Sequence, residues 1–385
     1  MASPEVIKVG NVSTRPGSIQ YGEWEAFRHP TGHIEFLPVI LAQGSEAGPC
    51  LWLTAGIHGP EHTGPSVLYS LLTDDLVSRM RGTVVALPAL SPAGLRTRSR
   101  EPYHVGSDPN RLWPDGRPVE ADDPDKAPPT SLETTFRALF AVILETADYF
   151  IDYHNAWIGS LSFAFRDRVL YRADLDGEGE KIRAQELAAR QEEMLSAYGH
   201  TIVTEFPAAK YVEDKLHRST SGAVLLVGRI PAITVELGTG LVPDPAIVKA
   251  SAAGTRNVMR RIGMLDGEDE PIEGIRVVDP GYPVRRMSTP RVKEAGIVIH
   301  LVEPGDILKA GDPVARQLDI WGRPLPEPLV FAEHDGIVLG RSHGIYYYPG
   351  ENILTMGVRD EDDLIAPYPA DFFKGTGDGQ ESGDP

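Results

Sequence analysis

"LWLTAGIHGPEHTG", residues 51–64, decides how the chain is read. An uninterrupted apolar run, the pattern of a buried strand, stops at Gly56. His58, Glu61 and His62 then follow before any helical pattern begins. From Gly64 onward Val67, Leu68, Leu71, Leu72, Leu76 and Met80 recur at spacings of three to four, the period of an amphipathic helix. A strand, a glycine turn and a helix form the repeating unit of an open α/β sheet, in which ligands gather beyond the carboxyl ends of the strands. Imidazole and carboxylate clustered at that end point to a site.

Working outward, the same alternation continues. Residues 36–41, 83–90, 148–154, 201–206 and 231–235 read as strands, and 131–147, 178–198 and 244–263 as helices. The expected fold is α/β, a mixed and largely parallel sheet flanked by helices, over residues 1–268. Beyond the acidic stretch "LDGEDEPIEG" the texture becomes short apolar runs punctuated by glycine and proline. Residues 269–362 are therefore expected to form a smaller all-β domain, and 363–385 a disordered tail.

Composition limits the function classes. The 385 residues are 41% hydrophobic and 8% aromatic, ordinary values for a globular protein. A net charge of −18 disfavours nucleic acid and anionic membrane as partners, since both repel an acidic surface. The single cysteine, Cys50, lies in an apolar strand and reads as a small core residue. The first residues lack the apolar core of a signal peptide, and no long uninterrupted apolar run occurs, so a soluble cytoplasmic protein is expected.

Three polar clusters fall at strand ends: "GIHGPEH", "DYHN" and "VELGTG". Gly56 and Gly59 let the backbone bend so that His58 and Glu61 face one point. With His154 they supply the two imidazoles and one carboxylate of a catalytic zinc site, which keeps a coordination position open. Asp152, two residues before His154, shares its side of the strand and can orient a ring. Glu236 closes an apolar strand, where a carboxylate is costly without a task; near zinc it can accept and return a proton. The loop "SPAGLRTRSREPYHVGSDPNRLWPDG" carries Arg96, Arg98, Arg100 and Arg111 in an acidic protein, a fork-shaped match for a substrate carboxylate, with Asn110 adding a neutral donor. Trp113 and Trp157 flank the site in sequence and read either as an aromatic wall favouring a bulky acyl or amine group or as ordinary packing. Taken singly, these signals have plain readings, a solvated helix start or a structural ion pair. Their co-occurrence in one α/β unit favours chemistry.

"GIHGPEHTG", "SDPNRLWP", "DYHN" and "ITVELGTG" together resemble the aspartoacylase and succinylglutamate desuccinylase family of zinc carboxypeptidase-like hydrolases. The resemblance covers nearly the whole chain. It implies that His58, Glu61 and His154 hold one zinc ion and that Glu236 is the catalytic carboxylate. It further implies that Asn110 and Arg111, assisted by Arg100, bind the substrate carboxylate. The implied reaction is hydrolysis of a small N-acyl amino acid or related amide, in a family whose members are often dimers. Two departures bear on the substrate: Pro60 stands where an aspartate is common, and "NAWIG" follows Asp152–His154 where serine and glycine are common. A carboxypeptidase acting on peptides and a non-catalytic binding protein on the same scaffold are the competing expectations. The later runs "VEPGDILKAGDPV" and "HDGIVL" resemble half-repeats of biotinyl carriers, but no lysine lies between Lys309 and Lys374 to be modified.

Overall fold

The computed structural model describes residues 4–117, 128–156, 158–342 and 344–373. Period-two alternation builds its centre. In the strand Glu46–Ala55, Cys50 and Trp52 enter one core while Leu51 and Leu53 enter another on the opposite face. Such a strand is hydrophobic throughout because both of its faces are covered.

Glu46–Ala55 pairs in parallel with Arg81–Leu87 on one side and with Tyr149–Ala156 on the other. Tyr149–Ala156 pairs in parallel with Ala232–Thr239. Antiparallel strands flank this parallel centre: the hairpin Ser18–Arg28 with Ile34–Gln43 on one side, and Ser162–Arg166 on the other. Thr201–Thr204 then runs parallel to Ser162–Arg166. The helix Ser131–Thr146 packs Leu132, Phe136, Leu139 and Ile143 on the Trp52 face. Thr63–Leu71, Pro245–Arg261 and the last turns of Gly177–Tyr198 cover the other. None of the described helices is long and apolar enough to cross a membrane.

The C-terminal β part is not detached from this sheet. Val284–Ser288 joins Thr201–Thr204 through the pair Thr204–Arg285, and Leu354–Arg359, Gly336–Arg341 and Ile307–Leu308 extend it antiparallel. A separate four-stranded antiparallel sheet, ordered Pro324–Phe331, Pro313–Leu318, Gly296–His300 and Tyr346–Tyr347, shares a core with these strands through Val298, Val314, Val338, Leu354 and Met356.

Three local expectations are corrected. The helical run from Gly64 to Met80 is two helices, Thr63–Leu71 and Asp74–Arg79, because Thr73 accepts a hydrogen bond from the Leu76 amide and restarts the chain as a cap. The helix expected from Ser131 is capped one residue earlier, by Thr130, which exchanges hydrogen bonds with Glu133 in a capping box. The tail expected to be disordered from residue 363 is ordered over its first part. Ile365–Pro367 pairs in parallel with Val169–Tyr171, and Tyr368, Phe372 and Phe373 pack on the core around the Trp52 face. Apolar "LIAPYPADFF" precedes the polar run that suggested disorder; residues 374–385 lie outside the described residues.

Candidate active site

Three of the parallel central strands end side by side, and the ends of two of them, with the turn that follows the third, line a cleft of about 530 Å³. The turn after Ala55 is forced into shape by its glycines. Gly56 has φ +64°, a left-handed conformation that L side chains disfavour, and its amide neighbourhood is fixed by Ser91 N donating to Gly56 O. A Cβ on Gly59 would lie 2.0 Å from Gly94 O, so only glycine allows this turn to touch the short helix Pro92–Thr97 there. His58 and Glu61, both buried, are thereby turned toward the end of the neighbouring strand, where His154 lies.

Glu61 stands between the two imidazoles. Its Oε1 is 2.7 Å from His58 Nδ1 and its Oε2 is 2.9 Å from His154 Nδ1. The second approach is not aligned as a hydrogen bond, leaving Glu61 Oε2 without a donor despite its burial. One donor atom from each residue falls within 4.8 Å of the others. The outward nitrogens are both engaged by carboxylates: His58 Nε2 by Asp108 Oδ1 and His154 Nε2 by Asp152 Oδ2, each at 2.9 Å. Asp152 is itself fixed by the Thr54 hydroxyl, which donates to its Oδ1 at 2.6 Å. Both rings are thus held with Nδ1 facing a common point, the arrangement of metal-ligating histidines whose other nitrogen is anchored by a carboxylate. This donor set, two nitrogens and a carboxylate, suits a zinc-like divalent ion.

Electrostatics agree. Burial disfavours protonated imidazole, yet Glu61 with Asp108 raises the pKa of His58, and Asp152 with Glu61 raises that of His154 well above its usual value. Burial likewise opposes ionisation of Glu61 and Asp108, but the imidazoles outweigh it and lower both carboxyls. The pocket is built to hold positive charge.

Glu236 follows on the adjacent strand, directly across from His154 in register. Part of its surface faces the cleft, but its Oε2 is buried and has no hydrogen-bond partner. Burial, opposed by His154 and helped by Glu61, pushes its carboxyl up to about 7.

The arginine loop is divided in use. Arg100 and Arg111 line the cleft, whereas Arg96 pairs with Glu35 at 2.7 Å and Arg98 terminates a short helix in the left-handed conformation. Arg100 bonds Asp108 at 2.7 Å. Arg111 donates to the carbonyls of Asp214 and Asn110, which fixes its guanidinium against the cleft wall. Asn110 also lines the cleft, with its Oδ1 accepting from Thr220 N and Oγ1. Arg286, from the strand Val284–Ser288, reaches the same wall. His62 is no ligand: its two nitrogens contact the carbonyls of Leu241 and Gly59. Asn155, in the departing "NAWIG" stretch, ties the amide and hydroxyl of Thr63 to the Leu237 carbonyl.

The aromatic wall is corrected for Trp113. It is fully buried and stacks on Phe136 at 4.6 Å between ring centres, and it does not line the cleft. Adjacency to Arg111 in sequence misled here, because the turn after Arg111 points Trp113 into the core. Trp157 lies outside the described residues. Trp113→Ala is expected to cost about 3–5 kcal/mol in a denaturant melt while leaving acyl preference unchanged; altered preference at undiminished stability would restore the wall.

Sequence reasoning missed Asp108 and Arg286. Asp108 carried a signal, since it precedes a proline and caps the short helix Pro109–Arg111. Arg286 carried none, being supplied by the C-terminal β part.

Residues 47–262, more than half of the chain, match the family model of the succinylglutamate desuccinylase/aspartoacylase catalytic domain. No curated protein matches the chain. Solved structures share the fold at low identity. A succinylglutamate desuccinylase/aspartoacylase from Rhodobacter sphaeroides is 20% identical, with 89% of this chain and 95% of that one covered and a TM-score of 0.65. A succinylglutamate desuccinylase from Silicibacter sp. is 20% identical, covering 94% and 100%, at a TM-score of 0.67. A product-bound ectoine utilization protein from Ruegeria pomeroyi is 21% identical, covering 88% and 95%, at 0.63. The strand-end carboxylates and imidazoles thus sit on a scaffold of established kind, and the chain belongs to the succinylglutamate desuccinylase/aspartoacylase family of deacylases.

Proposed function

We propose that the chain hydrolyses the amide bond of a small, carboxylate-bearing N-acyl amino acid or related amide with the help of one zinc ion held by His58, Glu61 and His154. The observation that carries this reading is the pairing of that buried ligand set with Glu236, which lines the same cleft and whose buried Oε2 has no hydrogen-bond partner. When bound, the ion supplies Lewis acidity that polarises the acyl carbonyl and makes water nucleophilic near neutral pH. The chain's residues do the rest. Asp108 and Asp152 hold the two rings in the ligating tautomer. Arg100, Arg111 and Arg286 offer positive charge to the substrate carboxylate and fix its orientation. Glu236 takes the proton of the attacking water on its carboxylate and returns it to the departing amine nitrogen. Ile158 and Leu241, both on the cleft lining, give the site an apolar stretch.

A screen of N-acyl amino acids against tripeptides, with and without a chelator, tests the reading. Chelator-sensitive release of amino acid from the former alone is expected; tripeptide cleavage or chelator-insensitive turnover contradicts it. The same assay gives a pH profile. Glu236 acts as a base only when ionised, so kcat/KM is lost as pH falls through its pKa. Burial, the largest influence, together with the neighbouring charges holds that value at about 7, and a bound dication lowers it, so the acidic limb is expected below 7. A limb above 7, or its survival in Glu236→Gln, counts against the assignment.

A further inference from the structure

Three segments of the cleft lining carry no charge beyond the proposed ligands and Glu236. They are the turn from His58 to Glu61, residues 155–158 after His154, and residues 239–241 after Glu236. They meet as one lip. Leu241 N donates to the Pro60 carbonyl at 2.6 Å, Gly159 N donates to the Thr239 hydroxyl at 2.9 Å, and Thr239 pairs with Ala156 in the sheet. Pro60, Ala156, Ile158 and Leu241 give the lip its apolar lining. The other charged side chains on the cleft, Arg100, Arg111, Asp167, Glu205 and Arg286, come from other segments. Arg341, which pairs with Ile158 across the sheet, is held by Glu303 at 2.8 Å and by the Val302 carbonyl at 3.0 Å, so its charge is already matched.

Leu241 is held in the lip against its own preference. Its φ is +68°, a left-handed conformation uncommon for leucine, and Val242 N closes a three-residue turn on the Gly240 carbonyl at 2.9 Å. A turn of this hand is rare and strained, and such strain persists where the surroundings fix it, as they do at ligand-binding positions. The side chain placed there is 51% exposed, and that of Ile158 is 55% exposed. For the backbone alone glycine would suit position 241 better. An apolar side chain at the mouth of the cleft has surface to bury only against a bound molecule.

We propose that this lip receives the acyl chain of the substrate, and that Leu241 and Ile158 select an uncharged alkanoyl group longer than acetyl. The proposal rests on the reading of the chain as an amide hydrolase. With the substrate carboxylate on the cleft arginines and the scissile carbonyl at the ligand set, the lip is the uncharged lining left for the acyl side. A succinyl group would bring its second carboxylate against side chains that offer it neither a hydrogen bond nor an opposite charge.

Binding measured without turnover gives the test. N-acetyl-, N-butyryl-, N-hexanoyl- and N-succinylglycine would be titrated calorimetrically into the intact zinc-loaded protein carrying Glu236→Gln, so that hydrolysis does not intrude. Hexanoylglycine is expected to bind at least about tenfold more tightly than acetylglycine, since each methylene covered by apolar surface is worth up to about fourfold. Succinylglycine is expected to bind more weakly than butyrylglycine. Adding Leu241→Gly, which suits the left-handed backbone, should keep the melting temperature and most of the acetylglycine affinity while flattening the dependence on chain length. Ile158→Thr, which keeps a β-branched residue in its strand, should flatten it in part. Equal affinities along the series, succinylglycine binding as tightly as butyrylglycine, no detectable binding of any of the four, or a dependence that survives Leu241→Gly and Ile158→Thr together, overturns the proposal. Hydrolysis of the same compounds is read separately, with Glu236 intact. Chain-length preference in binding without hydrolysis removes the hydrolase reading and leaves the apolar subsite standing. Hydrolysis without that preference does the reverse.

Discussion

Glu236→Gln is expected to lower kcat by about 10²–10⁴-fold, the usual worth of a positioned general acid–base, with bound metal and fold unchanged. The substitution preserves shape and removes only the ability to hold a proton. Glu236 suits that role because its Oε2 is buried, unpartnered and beside the ligand strand, so neither a salt bridge nor a hydrogen bond competes for the proton. Single-turnover kinetics and metal analysis on the same sample check it. Wild-type kcat in a fully metallated variant would mean that the proton is handled elsewhere.

Removing a ligand is expected to have an effect of similar size by a different route. Glu61→Ala or His154→Ala should take bound metal from about one ion per chain to near none, and activity with it. Asp108→Asn should act more mildly, weakening metal about 10–100-fold, because it loosens the His58 ring without deleting a donor. Acidity should mimic ligand loss. Neighbouring carboxylates raise the pKa values of His58 and His154, so protons compete with the ion over an extended range, and affinity falls as pH drops through those values. Titration with a chromophoric chelator at several pH values measures all three. Equal metal affinity in Glu61→Ala and wild type would remove the site.

How much of this was legible follows from where each signal lies along the chain. The parallel centre was readable because Glu46–Ala55 and Ala232–Thr239 carry their apolar pattern locally and stop at glycine-rich turns. His58, Glu61, His154 and Glu236 were readable for the same reason, each ending or following such a strand. The hairpin strand Ser18–Arg28 was not, because a bulge between Glu25 and Phe27 breaks its alternation. Trp113 was misassigned because neighbours in sequence diverge at a turn, one into the cleft and the other into the core. Arg286 and Glu205, 2.9 Å apart, could not be joined at all, since their meeting depends on how the C-terminal strands dock onto the sheet. Tertiary pairing places those groups, and no local pattern announces it.

Anomalous diffraction from crystals of the zinc-loaded protein, collected on both sides of the zinc absorption edge, tests the central claim most directly. One peak per chain is predicted, at bonding distance from His58 Nδ1, His154 Nδ1 and a Glu61 carboxylate oxygen. A peak ligated elsewhere, or none between these residues in metal-saturated crystals, would contradict the account.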